Sequence, residues 1–423
     1  MAGAGEVTGR AAPGRAGPRV DGVPGVRPAG AADVVAGVPA RYVAEPADTG
    51  EASAVLRAAG ATGAAVAFRG GGSTLDWGNP PERLDLLVDT RRLAGVVEHA
   101  AGDLITVVRA GTRLADLAEL LSGAGQQLAL DVPGSAATVG GTVAAGRSGP
   151  RRMLYGTVRD LLIGVTVVRA DGVVAHAGGK VVKNVAGYDL GKLVTGSHGT
   201  LGLITECAFR LHPLPAATAY VSRGLADPVE AAELAAAVRG AQLVPSALEL
   251  DVPGGGGARL CVLLEGTPAG VAARAAAAVR LLGPDAVAAP EPPDWWAAPP
   301  WRPGEVGLKL TAALSGVPGL LAAARAATDR HGLPVAVRGS AGVGVLYAGL
   351  PADDPAAVAG VVIELRAACL AAGGHGVVLT APAAVRDLVD LWGPVDGLDL
   401  MRRVKQRLDP DRLLAPGRFV GGI

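Results

Sequence analysis

The chain has 423 residues, yet it is poor in aromatics, cysteine and methionine, and it has no net charge. Phe, Tyr and Trp make up only 3% of it while half is apolar, so the core has to be built mainly from Ala, Val and Leu. The three cysteines, Cys207, Cys261 and Cys369, lie far apart. No CxxC or Cys/His spacing marks a zinc or iron–sulfur site, so no metal is expected, and the odd, sparse count fits a reducing cytoplasm. Lys+Arg and Asp+Glu stand at 39 each, which argues against a general nucleic-acid binder, because phosphate binding needs an excess of cations. The longest uncharged run, Ala367 to Val385, is interrupted by Gly373, Gly374, His375 and Pro382 and suits a helix–turn–strand better than a bilayer span. Residues 1–32 lack the apolar region of a signal peptide, and no repeat at solenoid spacing is visible.

Local patterns divide the rest. Residues 1–35, rich in Gly, Pro, Ala and Arg, are expected to be a disordered leader, with order beginning near Pro39. "DTGEASAVLRAAGATG" predicts a helix with Asp48 or Thr49 at its start and glycine after it. "AAVAF", "LDLLVDT" and "LITVVRAG" predict strands, and "LLIGVTVVRADGVVAHAG" a hairpin turning at Asp171-Gly172. From about Ala217 longer helices alternate with strands, interrupted by "APEPPDWWAAPPWRPGE", a Pro/Trp-rich linker by composition. The fold class is α+β, with boundaries at 36–217, 218–395 and 396–423.

Glycine is abundant, and three glycine-rich stretches carry polar groups. In the first, Arg69, Gly70, Gly71, Gly72, Ser73 and Thr74 follow a strand. Successive N–H groups without Cβ obstruction can curl into an anion nest, to which the hydroxyls and Arg69 would add donors and charge. A mobile surface loop is the alternative. The second stretch, Asp131 to Gly149, offers the turn Pro133-Gly134-Ser135 and the small residues Thr138, Val139, Gly140 and Gly141. The third, Gly178 to Glu206, contains Lys183, Asn184, His198, Gly199, Gly202, Ile204 and Thr205. "GYDLGKL", Gly187 to Leu193, is one residue short of a phosphate-binding P-loop and lacks its hydroxyl, so it is set aside.

Taken together, "RGGGST…DW", "PGS…TVGG" and "KNVAGYDLGKL…GTLGLITE" resemble the FAD-linked oxidases of the vanillyl-alcohol oxidase / p-cresol methylhydroxylase (PCMH) type over about residues 39–217. Among their branches the chain most resembles the FAD-binding subunit of bacterial glycolate oxidase. "LMRRVKQRLDPDRLLAPGRF", Leu400 to Phe419, resembles that family's closing segment, which returns to the flavin domain. The resemblance implies a two-subdomain PCMH-type FAD-binding domain followed by an α+β cap domain. It places the FAD pyrophosphate on Gly70 to Thr74 and puts Pro133 to Ser135 and Thr138 to Gly141 at the pyrophosphate and the isoalloxazine. Gly199 to Thr205 would pass the flavin and adenine, with Lys183 and Asn184 also at the cofactor. Ser73 stands where covalent relatives have His, and the second stretch has no Cys, so the FAD is expected to be non-covalent. Ala415 replaces the usual Asn before Pro416-Gly417, and His331 and His375 do not form the metal-binding pair of related hydroxyacid-oxidising subunits.

The implied function is that of an accessory flavin subunit in a glycolate or other 2-hydroxyacid dehydrogenase complex. Its expected partners are a catalytic flavoprotein subunit and an iron–sulfur subunit, with at most peripheral membrane association through them. His198 is the candidate base in a flavin-proximal motif. Two alternatives stay open: a self-sufficient FAD-dependent 2-hydroxyacid or alcohol dehydrogenase, and a flavin-free assembly module.

Overall fold

The computed structural model describes residues 25–180 and 188–423. Lys183 and Asn184 lie outside the described residues.

The first layer is a small sheet in the order Val26–Pro28, Tyr42–Ala44, Leu86–Asp89, Val66–Arg69. Its last three strands are parallel. The helix Thr49–Thr62 covers it. Asp48 caps that helix by accepting from the Glu51 N–H at 2.8 Å, and Gly63, at φ 69°, ends it. Its buried stripe of Ala52, Val55, Leu56 and Ala59 packs on Val66, Leu86 and Val88. Full burial of Val55 or Leu56 is worth about 1.5–3 kcal/mol each. The leader expectation needs correction here. Val26–Pro28 pairs with Tyr42–Ala44, and Asp33 is 5% exposed and forms ion pairs, so order begins before Pro39.

The second layer is an antiparallel sheet in the order Val174–Gly178, Leu162–Val168, Leu203–Arg210, Ile105–Arg109, Val96–Ala100. Its hairpin turns at Asp171-Gly172, with Gly172 at φ 78°. A short helix, Val139–Ala145, packs into its core through Val139 and Val143.

The cap is one eight-stranded antiparallel sheet. The helices Pro228–Gly240, Pro268–Leu282, Val317–His331 and Pro355–Ala371, each with Pro in its first turn, share a core with it. Alternation along the strands decides which side chains meet them. In Ala247–Val252, Leu248 and Leu250 join the helix-side core, while Ala247, Glu249 and Asp251 point to the opposite face. That opposite face looks toward the N-terminal domain. Arg151 crosses the junction, bonding Asp131 at 2.5 Å and the cap's Glu265 at 2.9 Å.

The Pro/Trp-rich stretch is not a linker. Trp295 is 4% exposed and packs with Tyr220, Cys261 and Leu263 on the second face of the cap sheet. The helix Leu398–Leu408 then leads the chain back to the first domain. There Leu413 accepts from the Val66 N–H and Ala415 donates to the Val66 carbonyl, both at 2.7 Å, extending the small sheet by a parallel bridge.

Candidate functional site

Val66–Arg69 ends at the glycine loop, and the loop forms one rim of a cleft of about 870 Å³. The cleft brings together Arg69, Gly70, Gly71, Gly72, Ser73, Thr74, Thr138, Gly140, Gly141, His198, Gly199, Gly202 and Ile204. Pro133 lines a neighbouring cleft instead. Gly134, Ser135, Val139 and Thr205 line neither; Val139 and Thr205 are fully buried in the second layer.

Backbone geometry explains the glycines individually. A Cβ on Gly71 would lie 1.5 Å from the Ala136 carbonyl oxygen, so here two loops pack main chain on main chain. Gly72 has open space around it but sits at φ 79°, where glycine alone is unstrained. Among the described residues, nothing accepts from the N–H groups of Gly70, Gly71, Gly72, Ser73 or Thr74. The helix Val139–Ala145 is different. Its first N–H groups already donate to the carbonyls of Thr112 and Ala110 and to the Thr138 hydroxyl. At Thr138 to Gly141 the structure therefore supplies close approach, with few open donors.

The charge in the cleft comes from other residues than the sequence suggests. Arg69 is held by Asp33 at 2.8 Å and Asp89 at 2.9 Å and is neutralised within the fold, so it adds no free charge to the loop. Arg147 and Arg418 line the cleft instead. Arg147 donates to the Ser73 hydroxyl at 3.3 Å and the Pro133 carbonyl at 3.2 Å, and stacks over Trp77 at 5.4 Å. Arg418 donates to the carbonyls of Leu75 and Trp77 at 3.0 and 2.6 Å. Neither forms an ion pair among the described residues, and burial pulls both below the usual arginine range, Arg418 to about 10. Sequence reasoning missed both. Arg418 had one signal, its place in the closing segment "APGRF".

His198 lies at the inner wall, at φ 53°, against Trp392 at 5.4 Å and Phe419 at 5.7 Å. Burial, aided by the charges of Arg418 and Lys309, pushes its imidazole down to about 3. The ring is thus neutral and only weakly basic across the physiological range. Next to it Gly199, at φ 77°, faces Phe68; a Cβ there would meet the ring at 2.9 Å.

These features fit a dinucleotide that carries a diphosphate. Five successive N–H groups stand without acceptors, two guanidiniums lack a counter-charge, and the buried Thr142 hydroxyl on the cleft wall has no partner among the described residues. Phe68, Leu203 and Ile204 add apolar wall for a flat ring. Among the described residues, no group of three or more His, Cys, Asp or Glu is placed to hold a metal. No described helix is long and apolar enough to cross a membrane.

Comparison with known proteins places this geometry. Residues 40–178 match the FAD binding domain family, and residues 310–419 match the C-terminal domain of FAD linked oxidases. Over 138 residues, 32% of this chain and 39% of the relative, the sequence is 41% identical to the glycolate oxidase subunit GlcE of Escherichia coli. It is 34% identical to a D-lactate dehydrogenase of Archaeoglobus fulgidus over 40% of this chain and 38% of that one. Glycolate oxidase subunit GlcD of Bacillus subtilis is 33% identical over 50% of this chain and 45% of its own length. The chain spans about two-fifths of the length of these curated relatives. In fold, p-cresol methylhydroxylase superposes with a TM-score of 0.73 at 16% identity, covering 90% of this chain and 88% of the other.

Proposed function

Starting from a chain that belongs to the FAD-linked oxidases, we propose that it is a non-covalent FAD subunit of a multi-subunit glycolate (2-hydroxyacid) dehydrogenase. In this reading it relays electrons between a catalytic flavoprotein subunit and an iron–sulfur subunit in the cytoplasm. The observation that carries the flavin assignment is the glycine loop, whose five N–H groups find no acceptor among the described residues, beside Arg147 and Arg418. Gly70 to Thr74 would hold the pyrophosphate. Arg147 and Arg418 would balance its charge, and Gly199 and Gly202 would let the flavin pass close to the main chain. Bound FAD would supply two-electron redox chemistry. Ser73 offers no nucleophile suited to a flavin bond, and no cysteine lines the cleft among the described residues.

The surroundings of His198 set that residue aside as a catalytic base. Oxidation of a 2-hydroxy acid needs a base for the hydroxyl proton, and a base is most effective with a pKa near the working pH. At about 3, His198 falls far short.

Two measurements on the purified chain test the proposal. Its absorbance spectrum should show oxidised flavin near ~450 nm. Anaerobic mixing with glycolate, D-lactate or L-lactate should leave that band unbleached until the partner subunits are added. Rapid bleaching by the chain alone would replace the accessory reading with a self-sufficient dehydrogenase. Colourless protein that binds no added FAD would leave only the assembly-module reading. Co-purification with an iron–sulfur protein is expected from native cells.

A further inference from the structure

The chain as a whole balances its charges, 39 against 39, but one groove on its surface does not. The groove, of about 650 Å³, is walled by the helix Thr49–Thr62, by the hairpin end at Arg169 to Asp171 and by the end of the helix Leu398–Leu408 with the chain that follows it. Each wall contributes one arginine: Arg57, Arg169 and Arg407. The walls are fixed to one another. Ser53 donates to the Gly172 carbonyl at 2.6 Å, and a Cβ on Gly172 would meet the Arg57 Cβ at 2.9 Å, so the hairpin turn is seated on the helix. Leu413, in the groove, donates its N–H to Asp409 at 2.9 Å and gives its carbonyl to the Val66 N–H. The groove is therefore preformed, which lowers the cost of binding.

Two of these three guanidiniums have no counter-charge among the described residues. Arg57 donates to the Ser53 hydroxyl at 3.2 Å and meets no carboxylate, and Arg407 has neither an ion pair nor a hydrogen bond. Arg169 pairs with Asp171 at 2.8 Å, yet its buried Nε has no partner among the described residues. Asp411 is the only other carboxylate in the groove. The helix Leu398–Leu408 adds to the imbalance. Two of its cations are engaged, Arg402 by Asp399 and Lys405 by Asp409. Arg403 and Arg407 stand one turn apart on the same helix face, and among the described residues Arg403 meets no carboxylate either. Like charges at that spacing repel, and carboxylates laid along the face relieve the repulsion.

We propose that this groove docks an acidic segment of a partner protein, an extended stretch whose Asp or Glu side chains lie on Arg57, Arg169 and Arg407 and run on to Arg403. Charge complementarity selects the occupant. The groove lies at the C-terminal ends of two helices, so it lacks the converging helix N–H groups that hold a compact phosphate. Its donors are side chains spread over three elements, with Ala170, Leu408 and Leu413 between them, which suits carboxylates spaced along a chain. The first 24 residues of this chain carry Arg10, Arg15 and Arg19 against Glu6 and Asp21 and have the wrong sign to fill it. Leu413 lines the groove and Ala415 lines the glycine cleft, so the partner seats behind the segment that closes that cleft. The inference goes beyond the accessory-subunit reading and requires no flavin.

The test is fluorescence anisotropy of a dye-labelled peptide of about ten residues, alternating Glu and Ala, titrated with the full chain at about 50 mM salt. The same peptide with Gln for Glu is the neutral control. The Glu peptide is expected to bind saturably and the Gln peptide not at all. Arg57→Gln and Arg407→Gln should each weaken binding about threefold, and the two together about tenfold. Arg407→Lys, which keeps the charge and loses the planar fork, should fall between the parent and Arg407→Gln. Arg280→Gln, at an exposed arginine of the cap helix Pro268–Leu282, should change nothing. Inorganic phosphate should displace the peptide no better than chloride at the same ionic strength. No binding of the Glu peptide, equal binding of the Gln peptide, an equal loss in Arg280→Gln, or specific displacement by phosphate overturns the proposal. Flavin content is read on the same sample. Colourless protein that binds the Glu peptide would sink the flavin-subunit reading alone; yellow protein that does not bind it would sink only this one.

Discussion

Gly71→Ala is the substitution whose cost the structure makes most explicit. The new Cβ would lie 1.5 Å from the Ala136 carbonyl oxygen, which is main chain and has no rotamer to turn away. The two loops would have to part by about another 1.5 Å to reach the 3.0 Å that real Cβ contacts respect. Both loops shape the glycine cleft, so the movement falls on the proposed cofactor site. We expect a loss of about 3 kcal/mol or more in stability and no retained FAD. Gly72→Ala is the internal comparison. Its Cβ meets nothing within 4 Å, and only the φ of 79° opposes it, for about 1–2 kcal/mol. Gly255→Ala in the cap has open space and no positive φ, and should change stability by no more than about 0.5 kcal/mol. Denaturant unfolding and the flavin-to-protein absorbance ratio rank the three. If Gly71→Ala keeps its FAD and unfolds like Gly255→Ala, the loop-on-loop packing is not what makes glycine necessary there.

Three further predictions rest on other parts of the molecule. Lys405 is 4% exposed and bonds Asp409 at 2.6 Å and the carbonyls of Thr200 and Leu414 at 2.8 Å, so Lys405→Met strands a buried carboxylate. Its denaturation midpoint should report a loss of about 3–5 kcal/mol, and a loss under about 1 kcal/mol would refute the role. His198 titrates near 3 in the folded chain against an ordinary 6.5, so only the unfolded chain takes up its proton in mild acid. The stability it confers is complete above about pH 6.5 and is lost as pH falls toward 3, reaching up to about 2 kcal/mol at pH 5. His198→Asn, which tolerates the φ of 53°, should therefore lose less stability than the parent between pH 7 and 5. Acid precipitation should leave a colourless pellet with all flavin in the supernatant, and a yellow pellet would show a covalent bond.

What could be read from the sequence was mostly local. Asp48, the helix after it and Gly63 lie within one short stretch, and the Asp171-Gly172 turn is set by its own two residues, so both were legible. The helix Val139–Ala145 was not, because two glycines and three β-branched residues give it poor intrinsic propensity; tertiary packing of Val139 and Val143 decides it. The role of Arg69 depended on Asp33 and Asp89, which are distant in sequence, and Asp33 sat in a segment whose composition suggested no order. Trp295 and Trp301 looked like linker residues because nothing in the sequence announces that Gly307 and Gly349 clear space for their segment. The glycine loop itself stood out, while the cations beside it, Arg147 and Arg418, depend on how the chain folds back.

That return of the chain has a consequence for how the molecule is assembled. Val66 receives its last sheet partner from Leu413 to Ala415, and Arg418 closes over Leu75 and Trp77. Contacts this remote in sequence form late and slowly, since a very long loop must close first. The flavin-type half is thus not an autonomous unit. A fragment ending at the domain boundary near residue 217 would present the edge of Val66–Arg69 unpaired, beside a glycine loop with one wall missing. Exposed edges of that kind invite pairing with other chains, so the glycine cleft and protection against aggregation are completed by the same few residues of the returning segment.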